Sequence, residues 1–189
     1  MGLPQSFYER NTVAVARDLL GCLLINRDKY GAAAGRIVEV EAYLQDDPAA
    51  HSYRGMTERN RAMFGPAGHA YVYRIYGLHT CVNAVTGAEG RGEAVLIRAL
   101  EPVAGIDLMQ ARRGRDDLIS LANGPGKLTE ALGITTDLDG TSLSCGPLQI
   151  YPPTARREEI VQTTRVGITK AADLPLRFCL KGNPYLSRR

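Results

Sequence analysis

The sequence lacks the features of membrane-spanning and secreted proteins. Its 189 residues contain no apolar run of about 18 residues, the length that a membrane-spanning helix needs. The opening residues, MGLPQSFYER, lack the charged-then-apolar pattern of a secretory signal. We therefore expect an intracellular protein. A chain of this length, with 44% hydrophobic residues, predicts one domain over residues 1–189 with a substantial core.

Cysteine and histidine are scarce and widely spaced. The four cysteines form no C-x-x-C pair, which argues against a zinc clip and against a small disulfide framework. The three histidines show no H-E-x-x-H spacing, and no G-x-S-x-G motif is present. Residues 124–127, GPGK, resemble part of a phosphate loop but lack its earlier glycine and its Ser/Thr. We expect buried, reduced thiols and neither a metal nor another cofactor.

Lysine is also rare, with 4 residues against 19 arginines. The net charge is only +3, but residues 51–83 carry four arginines and one glutamate, and residues 152–189 carry eight basic residues and three acidic ones. Clustered positive charge is typical of proteins that bind polyanions such as nucleic acids, and the arginine fork matches phosphate geometry. Solvated loops with a basic tail would give the same clusters, and GC-rich coding would give the same ratio of arginine to lysine.

The apolar pattern predicts an α+β fold. Strands occur in runs with helices between the groups, which favours a compact domain with a curved, mainly antiparallel sheet surrounded by helices. A β-hairpin around residues 76–78 should protrude from it. We predict helices over 11–20, 57–64, 102–113 and 125–132, and strands over 22–27, 36–44, 70–75, 79–85, 93–100, 143–150, 165–168 and 176–180. The Gly/Ala-rich residues between the first two strands are predicted to form a turn.

The second predicted strand, RIVEVEAYL, alternates apolar and polar residues. A period of two places Glu39, Glu41 and Tyr43 on one face and packs the intervening residues on the other. Carboxylates two positions apart lie about 6.8 Å from each other, which falls within the ~6.5–9.5 Å separation of inverting glycosidases. The pair therefore suits a sugar hydrolase, although an ordinary solvated face would look the same.

Tyrosines are concentrated in AYVYRIYG, residues 70–77. Tyr71 and Tyr73 share one strand face, and Tyr76 lies beside Gly77, where a tight turn would place it at the tip of a hairpin. Such a segment is either a core strand or a platform on which nucleic-acid bases stack. An aromatic side chain at a hairpin tip can also wedge between base pairs.

One arginine interrupts an apolar strand. Arg98 lies in VLIRALEP, residues 95–102, where a buried cation needs an acidic partner. Glu39 and Glu41 are the candidates. The result is either a structural ion pair or part of a catalytic carboxylate site.

Eight short segments occur in order over about 145 residues: GRIVEVEAYL, AAHS, RNRAMF, YVYRIYGLHTCVN, VLIRALEP, NGPGKL, RVGI and PLRF. Together they resemble the alkyladenine (3-methyladenine) DNA glycosylase family, of the type also found in mammals. The resemblance implies a monofunctional glycosylase without lyase activity. Such an enzyme flips alkylated or deaminated purines, such as hypoxanthine, out of duplex DNA and hydrolyses the N-glycosidic bond. The implied partner is double-stranded DNA with damaged purines. We expect a monomer that is cytoplasmic, nucleoid-associated in a bacterium, and not bound to membranes.

The resemblance also implies roles for individual residues. Glu41 corresponds to the general base, and Arg98 and the carbonyl of Val166 correspond to the groups that hold the attacking water. Glu39 has no catalytic counterpart. None of the four lysines is expected in the pocket, which predicts simple hydrolysis without a Schiff base.

The remaining correspondences concern the extruded base and the DNA. Tyr43, His51 and Tyr73 would sandwich the base, Ala49 and His51 would offer it backbone hydrogen bonds, Asn83 would obstruct the 2-amino group of guanine, and Tyr76 would fill the gap in the duplex. Arg59, Arg61 and Lys127 would hold phosphates.

Two departures from the mammalian pattern are visible. The loop QDDPAAH is one residue shorter, and Leu78-His79 replaces Met-Tyr. Both could alter base selectivity or contacts with the opposite strand. A non-enzymatic nucleic-acid-binding module that uses the tyrosines for stacking remains the alternative from a different functional class.

Overall fold

The computed structural model describes residues 2–75, 77–153 and 158–188. It confirms the α+β fold, in which one antiparallel sheet curls around a core and helices pack against it. The strands are β1 (Leu23–Asp28), β2 (Gly31–Tyr43), β3 (Ala70–Ile75), β4 (His79–Val85), β5 (Ala94–Ala104), β6 (Leu148–Tyr151), β7 (Ile160–Thr163) and β8 (Arg177–Leu180). The helices are α1 (Gln5–Tyr8), α2 (Thr12–Leu19), α3 (Ile106–Arg113), α4 (Leu118–Leu121) and α5 (Pro125–Leu132), with 3-10 turns at Glu58–Phe64 and Thr136–Leu138.

Strand β2 is the centre of the sheet. The strand order is β3-β4-β5-β2-β1-β6, and β8 pairs with both β2 and β7. Along the stretch from Glu39 to Glu41, β2 therefore has β5 on one side and β8 on the other. The register with β5 shifts on both sides of Glu39, and such a bulge bends a strand and redirects its side chains. The two glutamates consequently lie inside the fold.

The main hydrophobic core fills the space between the sheet and the helices. It contains the apolar faces of β2 and β5 and buried residues of α2 and α5. Asn11 caps α2 by accepting the N–H groups of Val13 and Ala14, as the Asn at the predicted helix start required. A second, smaller cluster joins Met63, Tyr71, Val85 and Ala94. This cluster supports the aromatic side of the site described below.

Three secondary-structure predictions are wrong. The Gly/Ala-rich residues 31–35 belong to β2 rather than to a turn, because small residues here let β5 approach closely. The strand predicted over 165–168 is irregular, and β7 lies earlier, at Ile160–Thr163. Pro102 lies within β5, opposite Gly35 at an irregularity of the register, and helix α3 begins only at Ile106. Gly105 separates the two elements with a left-handed φ of 69°, and a Cβ there would lie 2.3 Å from the carbonyl oxygen of Ala32.

Two kinds of feature are absent from residues 2–75, 77–153 and 158–188. No helix there is long and apolar enough to cross a bilayer. No group of three or more His, Cys, Asp or Glu side chains there is arranged to hold a metal ion.

Candidate active site

A cavity of about 650 Å³ opens beside the central strands. Its walls come from β2 to β5, the loop after β2, the start of α5 and the segments 166–168 and 187–188. The predicted site residues that line it are Tyr43, Ala49, His51, Tyr73, Asn83, Arg98, Lys127 and Val166. A cavity of this volume is within the range of small-molecule sites and can enclose a purine base.

The carboxylate of Glu41 lies immediately behind the wall of this cavity and is fully buried. Its Oε2 accepts hydrogen bonds from the Tyr43 hydroxyl, at 2.9 Å, and from Nη1 of Arg98, at 3.2 Å. Its Oε1 accepts the backbone N–H of Val166 at 2.7 Å. All three donors come from residues that line the cavity, although Glu41 itself forms none of the cavity surface.

The surroundings of Glu41 act on its pKa in opposite directions. Burial raises the pKa, while the Arg98 guanidinium, the Val166 N–H and the Tyr43 hydroxyl lower it. The negative charge of Glu39 raises it further, and the net result is a pKa above the ordinary value of a glutamate. A carboxylate with a raised pKa accepts a proton more readily, which is the property that a general base needs.

The two buried glutamates differ in how many hydrogen-bond acceptor positions remain. An ionised carboxylate offers about four lone-pair positions. Within the described residues, Glu41 receives three donors, so one position remains. Glu39 receives four: Nε of Arg98, Nε of Arg177, and the N–H and hydroxyl of Ser187. Glu41 therefore retains one acceptor position, and Glu39 retains none. This difference disfavours a sugar hydrolase that uses both carboxylates.

Arg98 connects these two carboxylates. Its side chain is 10% exposed, and it donates through Nε to Glu39 and through Nη1 to Glu41. The arginine thus has both of the acidic partners that the sequence offered. Its Nη1 also lies 3.5 Å from the carbonyl oxygen of Val166, so the three groups expected to fix a water are adjacent.

The aromatic wall of the cavity is built from β3 and the loop after β2. The rings of His51 and Tyr73 meet edge to face, with centroids 4.5 Å apart. Tyr71, which is buried behind them, places its hydroxyl 2.8 Å from Nδ1 of His51. Burial lowers the pKa of His51, and the positive charge of Arg59 lowers it further. Both effects favour the neutral imidazole, which presents an aromatic face without charge.

In the loop after β2, Ala49 and His51 each use one backbone group in a hydrogen bond within the protein. The N–H of Ala49 donates to Oδ1 of Asp47 at 2.9 Å, so its carbonyl is the group that this residue can offer to a base. The carbonyl of His51 accepts Nδ2 of Asn60 at 2.9 Å, so its N–H is the complementary group. These two residues, which line the cavity, thus leave one backbone acceptor and one backbone donor outside the contacts just named.

This loop is held by a buried ion pair that the sequence did not reveal. Arg165 donates to both carboxylate oxygens of Asp47, and their side chains are 0% and 2% exposed. Arg165 also donates to the carbonyl of Ala42, and its guanidinium lies 4.7 Å from the centroid of the Tyr43 ring. Arg165 therefore contacts both the loop and the Tyr43 ring, and Val166 follows it directly in the chain.

Asn83 lies on β4 at the inner end of the cavity. It is 4% exposed, and its Nδ2 donates to the carbonyl of Tyr71 at 3.0 Å. This bond fixes the side-chain amide against the adjacent strand. Cys81, two residues earlier on the same strand, also lines the cavity, and burial raises the pKa of its thiol.

The basic residues expected on the DNA backbone occupy different places. Lys127 lines the main cavity, with Nζ 2.7 Å from Oδ1 of Asn123, so the expectation that no lysine reaches the pocket is wrong. Arg59 is exposed and donates to the carbonyl of Arg74 at 3.1 Å. Arg61 pairs with Glu58 and lines a separate surface groove of about 370 Å³. The structure thus does not bring these three residues together.

The hairpin tip is only partly described, and Tyr76 lies outside the described residues. Around it, Ile75 and His79 line the cavity, and Gly77 has a left-handed φ of 69°. Leu78 is 84% exposed, which is unusual for an apolar side chain of this size. Leu78 therefore presents an apolar side chain to solvent, one residue before the cavity-lining His79.

Four residues of the site were not found from the sequence: Asp47, Arg165, Arg177 and Ser187. Arg165 and Arg177 lie within the RVGI and PLRF segments, which gave a weak indication that both residues are near the site. Ser187 had none, because nothing local indicates that it meets Glu39, which precedes it by 148 residues.

Similarity to known proteins extends over nearly the whole chain. A family model described as methylpurine-DNA glycosylase (MPG) matches residues 6–184. A protein of Methanoculleus marisnigri is 75% identical over 193 aligned residues, and one of Carboxydothermus hydrogenoformans is 52% identical over 192; both alignments cover 100% of each chain. One of Nitrosospira multiformis is 49% identical over 189 residues, which cover 100% of this chain and 95% of that one. All three are named, provisionally, as 3-methyladenine DNA glycosylases.

Proposed function

Because the chain belongs to the methylpurine-DNA glycosylase family, we propose that it is a DNA glycosylase that releases alkylated purines from double-stranded DNA. The observation that carries this proposal is the buried carboxylate of Glu41. It lies behind an aromatic cavity, is held by three donors, and keeps one acceptor position for a water molecule.

The substrate base must leave the duplex before it can reach this carboxylate. Extrusion of a nucleotide costs a few kcal/mol, and less for a damaged pair. Tyr76 and the exposed Leu78 at the hairpin tip would offset part of this cost by occupying the gap between the base pairs. The role of Tyr76 rests on its place in the sequence, between β3 and β4.

The cavity favours a flat, positively charged base. Tyr43 would lie against one face of the base, and His51 and Tyr73 against the other. Aromatic faces attract cations by about 0.5–2 kcal/mol, and alkylated purines carry the charge that ordinary purines lack. The lowered pKa of His51 favours its neutral form, which would not repel a cationic base. The Ala49 carbonyl and the His51 N–H would bind the edge of the base, and Asn83 would obstruct the 2-amino group of guanine.

Hydrolysis then requires one water molecule and no cofactor. The water would bind between Glu41, Arg98 and the Val166 carbonyl. As the bond between the sugar C1′ and the base nitrogen breaks, the bonding electrons leave with the base. The water oxygen bonds to C1′, and its proton passes to Glu41. The ionised carboxylate also stabilises the oxocarbenium-like sugar. The products are the free base and an abasic site.

A cationic base leaves without added protonation, whereas a neutral one such as hypoxanthine needs a proton donor. We include deaminated purines in the proposed substrate range and expect slower release for them. We also propose that no strand cleavage follows. Lys127 lines the cavity, but its amine bonds to Asn123 and would act on phosphate rather than on the sugar. Borohydride should therefore trap no covalent complex with DNA.

The proposal is tested with duplexes that contain a 7-methylguanine or a hypoxanthine. Glu41→Gln should retain lesion binding and lose base release, measured as abasic sites under single-turnover conditions. Glu93→Gln is the matched control, because Glu93 is also buried but bonds to Thr12 and Arg91 away from the cavity. Wild-type release by Glu41→Gln would refute the mechanism. Tight binding without release by the unmodified chain would indicate the binding module instead.

A further inference from the structure

The carboxylate of Glu39 has no role in the chemistry proposed above, yet it is fully buried and binds three parts of the chain. Its Oε1 accepts Nε of Arg98 at 3.1 Å, Nε of Arg177 at 2.7 Å and the Ser187 hydroxyl at 2.7 Å. Its Oε2 accepts the backbone N–H of Ser187 at 2.6 Å. A buried charge with this many donors is held in one position, and it holds its partners in turn.

Arg98 is fixed on three sides by this arrangement. Glu39 receives its Nε, Glu41 receives its Nη1, and the Ser187 hydroxyl lies 3.4 Å from its Nη2. The Ser187 oxygen can accept from Arg98 while its proton is donated to Glu39. The guanidinium plane is thereby defined by contacts at both ends and does not depend on Glu41 alone.

The segment that carries Ser187 is itself anchored beside the site. Arg177, on β8, donates through Nη2 to the carbonyl of Arg188 at 2.8 Å while its Nε binds Glu39. Ser187 and Arg188 both line the cavity. The segment 183–188 therefore returns from β8 across the buried carboxylates and closes that side of the cavity.

We infer that Glu39 and Ser187 are positioning residues, which hold the Arg98 guanidinium in the plane where it orients the attacking water. This inference rests on the proposed function, because it concerns the same water. Neither residue touches the reacting atoms. Their loss should therefore lower the rate of the chemical step and leave binding of the damaged duplex nearly unchanged.

The test compares single-turnover release and lesion binding in Ser187→Ala, Ser187→Thr and Glu39→Gln. We expect Ser187→Ala to lose on the order of 10- to 100-fold in rate, the scale of a slightly misplaced catalytic group. Ser187→Thr retains the hydroxyl and should recover most of that loss. Ser144→Ala is the matched control, since its hydroxyl bonds to the carbonyl of Leu3 and lies outside the cavity lining; it should release the base at the wild-type rate.

The pH profile separates positioning from a general loss of structure. The charge of Glu39 raises the pKa of Glu41, so Glu39→Gln should move the acid limb of the rate profile to lower pH. Ser187→Ala removes no charge and should leave that limb in place. The titratable and charged groups around Glu41 are Glu39 and Tyr43 on β2, Cys81 on β4, Arg98 on β5, Arg177 and Cys179 on β8, and Arg165 beside Tyr43.

Each outcome decides between the two proposals. If Ser187→Ala and Glu39→Gln both release the base at the wild-type rate while Glu41→Gln is inactive, the positioning inference is overturned and the proposed function stands. An equal loss in Ser187→Ala and Ser187→Thr would also overturn it, because the hydroxyl would then be irrelevant. If Glu41→Gln is active, the proposed function itself fails.

Discussion

Replacing Asp47 by asparagine removes the charged partner of a buried arginine and changes little else. The side chains of Asp47 and Arg165 are 2% and 0% exposed, so water cannot replace the lost charge. The amide oxygen of the new residue can still accept the N–H of Ala49. Arg165 would keep the carbonyls of Ala42 at 3.1 Å and Ala171 at 3.3 Å, and its Nε already has no acceptor among the described residues.

The expected loss of stability follows from these contacts. Removing one partner of a buried ion pair destabilises a protein by about 3–5 kcal/mol. The two remaining carbonyl acceptors place this case at the lower end, near ~3 kcal/mol. For a chain of this size, ~3 kcal/mol corresponds to a decrease in melting temperature of roughly 6–12 °C. Lesion binding should weaken as well, because Asp47 fixes the backbone of the loop that carries Ala49 and His51.

Thermal and urea unfolding measure the first effect, and binding to a damaged duplex measures the second. Glu159→Gln is the control, since its ion pair with Lys181 is exposed and worth at most about 1 kcal/mol. A double-mutant cycle with Arg165→Met isolates the pair. If Asp47→Asn is as stable as Glu159→Gln, or if the two single changes are additive in the double variant, the buried pair has no energetic role and the reasoning is refuted.

Three further predictions concern pH and salt. Release of a cationic base should decrease as the pH falls through a midpoint above the ordinary range of a glutamate, because burial raises the pKa of Glu41 and only its ionised form accepts a proton; a midpoint in the ordinary range would contradict this. The same raised pKa means that the stability contributed by Glu41 is complete at acid pH and is lost as the pH rises through that midpoint, so Glu41→Gln should gain stability relative to the wild type towards neutral pH. Binding to DNA should weaken with salt, and Arg59→Ala and Lys127→Ala should each reduce the slope of log affinity against log salt by about 1. Lys29→Ala, in the turn between β1 and β2, should leave that slope unchanged.

The sequence predicted the elements in which local pattern and tertiary context agree. The capped helix α2, the alternating part of β2 and the hairpin of β3 and β4 lie where the periodicity placed them. It failed at Pro102, because proline is common at helix starts, whereas here pairing with β2 continues strand β5 to Ala104. It failed at residues 31–35 because small residues weaken the strand signal while allowing close packing against β5.

The sequence identified residues that line the cavity, but it did not identify most of the partners that hold them in place. The eight lining residues were identified through short segments, whereas the partners that hold them come from distant positions. The burial of Glu39 illustrates the reason. Alternation along β2 shows which residues share a face. Whether solvent reaches that face depends on β8 and on the segment after it, which cover Glu39. The residues next to Glu39 in the sequence carry no information about this cover by distant segments.

The contacts of Arg98 span the chain, since its partners include Glu39, which precedes it by 59 residues, and Ser187, which follows it by 89. Loop-closure entropy must be overcome before contacts of such long range contribute, so we expect them to form late when the chain refolds. During refolding, helices and hairpins can form again before the side chain of Arg98 is held in place. Recovery of base release after denaturation would then report completion of the whole structure, and circular dichroism would precede it.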